Sequence, residues 1–220
     1  MLDITLATHN RHKVRELKQL LAVSGIRWRS LIGVPGAPSV PETGRTFDAN
    51  ATLKALAVAR FIGGLALADD SGLEVDALDG RPGVESARFA GAHGDDHANN
   101  EKLMGLLRGV PRKQRRARYR CSLVLADASG VIRLTRGLWR GYIGEQPLGR
   151  GGFGYDPIFV VPTCERTVAQ LPAAMKRRLS HRAIAACRLR TTLQRLVAQH
   201  RTVTAQAAAH PRSALNTMRV

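Results

Sequence analysis

Apolar and polar residues alternate at Leu2, Ile4 and Leu6, and after Thr8-His9-Asn10 the apolar spacing opens to Val14, Leu17 and Leu21. A period of two followed by one near 3.6 predicts strand, turn, helix. Phe47 to Phe61 is alanine-rich and sets Phe47, Ala51, Ala55 and Ala59 on one helical face, with Thr46 placed to cap it. Gly63-Gly64 then leads into an apolar run from Leu65 that stops at Asp69-Asp70-Ser71-Gly72, which predicts a buried strand leaving the sheet at its carboxylates. A further helix is expected over Asp95 to Leu107, capped by Asp95 or Asp96, with Leu103, Leu106 and Leu107 inward. Tyr119 to Leu125 and Val131 to Leu138 flank Asp127-Ala128-Ser129-Gly130 as a hairpin, and Pro157 to Val161 forms another short strand. Ser180 caps a last helix whose stripe is read as Ile184, Cys187, Thr191 and Val197. From Ala198 the pattern fades into Ala, Gln, Thr and Arg, so a domain over 1–197 and a flexible basic tail over 198–220 are expected. Helices that feed buried strands make this an α/β chain.

Composition narrows the partners. A chain of 220 residues suits one domain with a sizeable core. The formal charge of +17 and pI near 11.3 favour polyanions: nucleic acid, nucleotides or an acidic surface. Cys121, Cys164 and Cys187 are far apart and form no CxxC pair, which suits reduced thiols in the cytoplasm. No run approaches the ~18 to 20 apolar residues of a membrane span, so no membrane partner is expected.

The candidate chemistry sits where these elements turn. Side chains of adjacent strand residues point to opposite faces, so Asp69 and Asp70 share a ligand only if the strand has ended. Two adjacent carboxylates suit a hard cation such as Mg2+, and Glu42, in the loop before the Thr46 helix, is a third carboxylate for it. The simpler reading of Asp69-Asp70 is a cap or turn. Thr8, Asn10 and Lys13 surround a helix start whose free N–H groups attract phosphate, although Asn10 also serves as a plain N-cap. Asn50 and Lys54 lie four residues apart on one helical face, which would present Lys54 to an anion. Gly151-Gly152-Phe153-Gly154-Tyr155-Asp156-Pro157 lets backbone approach a flat ligand while a ring stacks on it, or is an ordinary glycine turn. Lys176, His181 and Arg182 gather at a later helix start, where cations grip phosphate or read base carbonyls. With no nucleophile signature present, metal-assisted attack by water is the simplest chemistry on offer.

Taken in order, Thr8-x-Asn10-x-x-Lys13, Glu42-x-Gly44, Phe47, Asn50, Lys54, Asp69-Asp70-Ser71-Gly72, Pro82-Gly83, Ser86-Ala87-Arg88, Gly152 to Pro157 and Ser180-His181-Arg182 resemble the inosine triphosphate pyrophosphatase family across residues 3 to about 197. The resemblance implies an α/β fold with an elongated mixed central sheet flanked by helices, two lobes with a central cleft, and a homodimer. It implies Mg2+-dependent hydrolysis of ITP, dITP and XTP to the monophosphate and pyrophosphate, which cleanses the nucleotide pool. Carried over, Asp70 is the general base and holds Mg2+ with Glu42. Thr8, Asn10, Lys13, Lys54 and Ser71 grip the phosphates, helped by Arg88. Phe153 stacks on the base, while Gly154, Tyr155, Asp156, Lys176, His181 and Arg182 shape its pocket.

Two rivals accompany that reading. One is a nucleic-acid-binding protein, suggested by the charge and by the basic run Arg112 to Arg120, and non-specific nucleic-acid contact is expected from so basic a chain in any case. The other is a Maf-like nucleotide pyrophosphatase, against which the Phe153 and His181 motifs argue.

Overall fold

The computed structural model describes residues 1–209. A seven-stranded mixed sheet runs in the order β2-β1-β3-β4-β5-β6-β7. β1 (Leu2–Leu6) pairs parallel with β2 (Ile26–Ser30) on one side and β3 (Leu65–Val75) on the other, while β4 (Arg116–Ala126), β5 (Val131–Ile143), β6 (Phe159–Val161) and β7 (Arg166–Thr167) continue the sheet antiparallel. Parallel strands need crossovers, and α1 (Arg11–Leu20) and α2 (Phe47–Ile62) supply them. α3 (Asp96–Leu106) lies between β3 and β4, and α4 (Ala173–Leu179) and α5 (His181–Ala209) close the chain.

Local chemistry sets the helix starts as expected. Asn10 accepts from the His12 and Lys13 amides, Thr46 from Ala49, Asp95 from Ala98 and Ser180 from Ala183. The Phe47, Ala51, Ala55, Ala59 face of α2 is buried, its three alanines over Ala66, Ala68, Val124 and Ala126 and Phe47 against Gly72. The other side of this half of the sheet carries Leu67, Leu123 and Leu125 beneath α1 and α5. Beyond them, Leu73, Tyr119, Trp139 and Phe159 join Leu103 and Leu107 in a separate core, which makes the second lobe.

Three local expectations change. β3 does not end at the carboxylates but continues to Val75, because β4 stays paired with it from Ala126 to Ala117 and cations from outside the sheet neutralise the acids. Leu106 is half exposed, since Leu103 and Leu107, four residues apart, take the inward face and leave Leu106 at its edge. The buried stripe of α5 is Ala185, Ala186, Leu189, Leu193 and Val197, whereas Cys187 and Thr191 face solvent. Gly137 explains that register: a Cβ there would lie 1.8 Å from the His181 carbonyl oxygen, so the start of α5 rests directly on β5. The helix also runs on through Ala209, past the point where its apolar stripe fades, ending in the alanine-rich run Ala205 to Ala209. The rest of the expected tail lies outside the described residues. Among the described residues no helix is long and apolar enough to cross a membrane.

Candidate active site

β3 delivers two carboxylates to two different environments. Asp69 is fully buried beneath α1 and α5, with Lys13 Nζ 2.6 Å and Arg182 Nε 3.1 Å away. Burial opposes its charge, but Arg182 and Lys13 outweigh it and hold the carboxyl well below the usual carboxylate range. Arg182 also donates to Glu16 and to the Ser71 hydroxyl, and Ser71 in turn donates to Asp69. Glu16 was not foreseen from the sequence; its partner is 166 residues away. The Lys13, Ser71, Arg182 and Asp69 cluster therefore works first as a scaffold.

Asp70 points to the opposite face. Lys54 Nζ lies 2.7 Å from its Oδ1 and 2.8 Å from Glu42 Oε1, so one ammonium is shared by two carboxylates. Arg88 reaches Glu42 from the other side at 3.5 Å. Burial pushes the Asp70 carboxyl up, Lys54 and Lys13 only partly offset this, and the charge of Glu42 adds to the rise. For Glu42 burial also acts upward, but Lys54 outweighs it and the net shift is downward. Lys54 loses by desolvation, gains more from its two partners and stays charged. Asp70 Oδ2 is buried with no hydrogen-bond partner. A buried carboxylate oxygen left bare costs stability unless something binds it.

Both arrangements open onto one cleft. Its first part, about 380 Å3, is lined by Thr8, Asn10, Lys13, Glu42, Lys54, Asp70 and Ser71. Its continuation, about 100 Å3, is lined by Phe153, Gly154, Tyr155, Asp156, Lys176, His181 and Arg182. Asn10, Lys13, Ser71, Ala87 and His93 border both parts. The structure thus brings Thr8, Asn10, Lys13, Glu42, Lys54, Asp70, Ser71 and the Phe153–Asp156, Lys176, His181 and Arg182 set to the cleft wall, whereas Asp69 and Asn50 are buried behind it, Asn50 accepting from the Gly44 amide, and Arg88 touches the cleft through Glu42. His93 and Tyr119 also border the cleft, and neither carried a sequence signal.

The inner pocket is built around a ring. Phe153 has Lys176 Nζ 4.7 Å and the Arg182 guanidinium 5.2 Å from its centroid, and His12 stacks on it at 5.3 Å. Asp156 holds the loop together by accepting from Phe153 N–H, Lys176 and the Tyr119 hydroxyl. Burial raises its carboxyl and Lys176 only partly compensates. Gly154, at φ +65°, donates to Asp96 and accepts from Asn100, so the first turn of α3 clamps both of its backbone groups. The Tyr155 hydroxyl is committed to the Ser86 carbonyl, which makes it a strut. His181 lies flat against Tyr119, with ring centroids 4.7 Å apart. Burial, reinforced by Arg182, drives its imidazole well below the ordinary value, so it is neutral, and its Nδ1 is buried without a partner.

Asn10 is the N-cap of α1 and lies at the cleft. Its side-chain oxygen takes the His12 and Lys13 amides that would otherwise face an anion. Among the described residues no group of three or more His, Cys, Asp or Glu comes together as a metal cage, so the metal-binding potential of the cleft is the Glu42 and Asp70 pair.

Comparison with known proteins follows the same lines. The Ham1 family model matches residues 4–192. A dITP/XTP pyrophosphatase from Desulforamulus reducens is 50% identical over 195 residues, covering 89% of this chain and 97% of its own, and one from Bacillus subtilis is 44% identical over 194 residues, covering 88% and 98%. Among solved structures, a HAM1 protein from Coxiella burnetii superposes with a TM-score of 0.81 at 38% identity, covering 89% of this chain and all of that one. A nucleoside-triphosphatase, dITP/XTP pyrophosphatase, from Mycobacterium abscessus gives 0.72 at 42% identity, covering 86% and 98%. With the cleft, the two-lobed mixed sheet and nearly the full length of these relatives accounted for, the chain belongs to the Ham1 family.

Proposed function

We propose that this chain hydrolyses non-standard purine nucleoside triphosphates, dITP, ITP and XTP, to the monophosphate and pyrophosphate. One observation carries the reading: a charged cleft holding a shared-lysine carboxylate pair continues, past Asn10, Ser71 and His93, into a pocket built on an aromatic ring. Its two ends suit a triphosphate and a flat base joined by a sugar. The names of the D. reducens and B. subtilis relatives support dITP and XTP among these.

The bare Asp70 Oδ2 beside Glu42 is a fitting donor set for Mg2+, which needs only one or two carboxylates when phosphate and water complete its shell. Glu42 and Asp70 would hold the ion, which when bound neutralises phosphate charge and acidifies water. Asp70 takes the proton of the attacking water as its oxygen bonds to the α-phosphorus and the bond to pyrophosphate breaks. In the cleft without the ion, burial and the charge of Glu42 raise the Asp70 carboxyl, the direction that suits a proton acceptor. Lys54 and Arg88 face the charge that develops on the leaving pyrophosphate, and Thr8, Asn10, Lys13 and Ser71 orient the chain of phosphates. Phe153 stacks on the base. The N–H groups of Lys176 not engaged by Asp156 offer hydrogen bonds to a 6-oxo purine edge beside His181, and an amino group at that place leaves those donors unpaired.

The free state of Cys121, Cys164 and Cys187 supports a cytoplasmic enzyme, and a homodimer, tested by light scattering, completes the reading. The deciding experiment is pyrophosphate release from dITP, XTP, dGTP and dATP, with Mg2+ and with EDTA, in wild type and Asp70→Asn. Metal-dependent release that favours dITP and XTP and disappears in the variant is expected. Release from none of the four overturns the reading.

A further inference from the structure

The basic run that suggests nucleic acid in the sequence is largely consumed inside the fold. Arg115 is buried with its guanidinium on the Leu107, Val110 and Gly144 carbonyls, Arg112 pairs with Glu165, and Arg118 and Arg120 pair with Glu74. The unspent charge lies elsewhere. Residues 166–220 contain eleven Lys and Arg and neither Asp nor Glu, and among the described residues only Lys176 and Arg182 of these are paired with acids, at the cleft.

α5 arranges much of that charge. At 100° per residue, Cys187, Thr191, Gln194 and Ala198 form its solvent-facing crest, and all four are exposed. Arg188 and Arg195 flank the crest on one side, Arg190 and Arg201 on the other, and all four arginines are exposed. Among the described residues none of them is in an ion pair; Arg188 and Arg190 reach only the backbone carbonyls of Arg136 and Leu20. From Arg188 to Arg201 the helix advances about 20 Å at ~1.5 Å per residue. Residues 201–206 are exposed throughout.

We propose that this face of α5 docks on the sugar-phosphate backbone of duplex DNA without reading its sequence. A helix with an uncharged crest fits a major groove about 12 Å wide, and arginines on both flanks then meet the phosphates of the two strands. The crest has no aromatic residue on which unpaired bases would stack, which sets it apart from a single-strand platform. None of the four arginines borders the cleft, so docking and hydrolysis are separate properties.

The test uses the full chain and a fluorescently labelled duplex of mixed sequence, read by anisotropy across a KCl series, with dITP hydrolysis measured on the same preparations. Each phosphate contact adds about 0.9 to the slope of log affinity against log salt. Replacing Arg188, Arg190, Arg195 and Arg201 together by Gln flattens that slope by about 3 to 4 and weakens binding by roughly five-fold per arginine at physiological salt. Arg195→Gln with Arg201→Gln, which removes no hydrogen bond of the fold, gives about half the effect and keeps the result readable if the fourfold variant is unstable. Arg116→Gln with Arg140→Gln, on the β4–β5 hairpin, leaves the slope unchanged. An unaltered slope in the α5 variants overturns the proposal, as does a preference for the single strand of the same sequence, or binding to phosphatidylserine vesicles without binding to the duplex.

Discussion

Asp69 and Asp70 are neighbours in the chain and face away from each other, Asp69 onto Lys13 at 2.6 Å and Asp70 onto Lys54 at 2.7 Å. Their substitutions separate accordingly. Asp70→Asn keeps the fold, because it exchanges a raised, half-satisfied carboxyl for an isosteric amide, and it lowers turnover by about 10^2 to 10^4, the usual worth of a positioned base. Asp69→Asn strips the charge from between Arg182 and Lys13 and costs about 3 to 5 kcal/mol of stability. Thermal melts beside pyrophosphate release distinguish the two: the first variant melts like wild type and is inactive, and the second melts early.

This division of labour was half legible in the sequence. Strand alternation alone says that the two aspartates face apart, and Asn10, Thr46, Asp95 and Ser180 announced their helices because a cap is settled within three residues. The continuation of β3 was not legible, since the cations that make two acids tolerable mid-strand come from α1, α2 and α5, up to 113 residues away. The scaffold role of Arg182, beside its place in the pocket wall, is hidden for the same reason: Glu16 and Asp69 meet it only in three dimensions. The stripe of α5 is not legible, since Cys187 and Thr191 fall at helical spacing after Ile184 and yet face solvent, while Gly137, which fixes the approach of that helix, lies on β5.

Gly137→Ala tests that approach. A methyl group placed 1.8 Å from the His181 carbonyl oxygen forces α5 off β5, and backbone is what it meets, so no rotamer relieves it. Such overpacking costs about 1 to 3 kcal/mol or more. Because His181 and Arg182 open α5, the KM for dITP should rise together with the loss in melting temperature, whereas Gly130→Ala, with open space around its Cβ, should change neither.

His181 gives the protein a stability loss in mild acid. Its imidazole is held neutral by burial, far below the ordinary 6.5, so below that value the unfolded chain takes up a proton that the folded chain refuses. Stability therefore falls as pH drops below about 6.5, until the folded pKa is reached. His181→Gln should remove this component. Melting temperatures at pH 7.5 and 5.5 should differ less in the variant than in wild type, and an equal drop in both would assign the acid sensitivity to other groups.

Lys54 connects electrostatics to rate most directly. Asp70 must be deprotonated to accept a proton from water, and burial with the neighbouring charge of Glu42 already raises its carboxyl, so activity is lost on the acid side at a higher pH than an ordinary aspartate would give. Lys54 is the largest opposing influence, holding Asp70 down by its charge and by the 2.7 Å hydrogen bond. In Lys54→Gln that restraint disappears while Glu42 remains, and the two carboxylates then compete for one proton. The acid limb of kcat/KM against pH should move upward, and the plateau should fall because a phosphate contact is lost as well. Glu42→Gln should shift the limb the opposite way, since it removes the charge that raises Asp70. A shift in the same direction in both variants would mean that the limb reports a group other than Asp70.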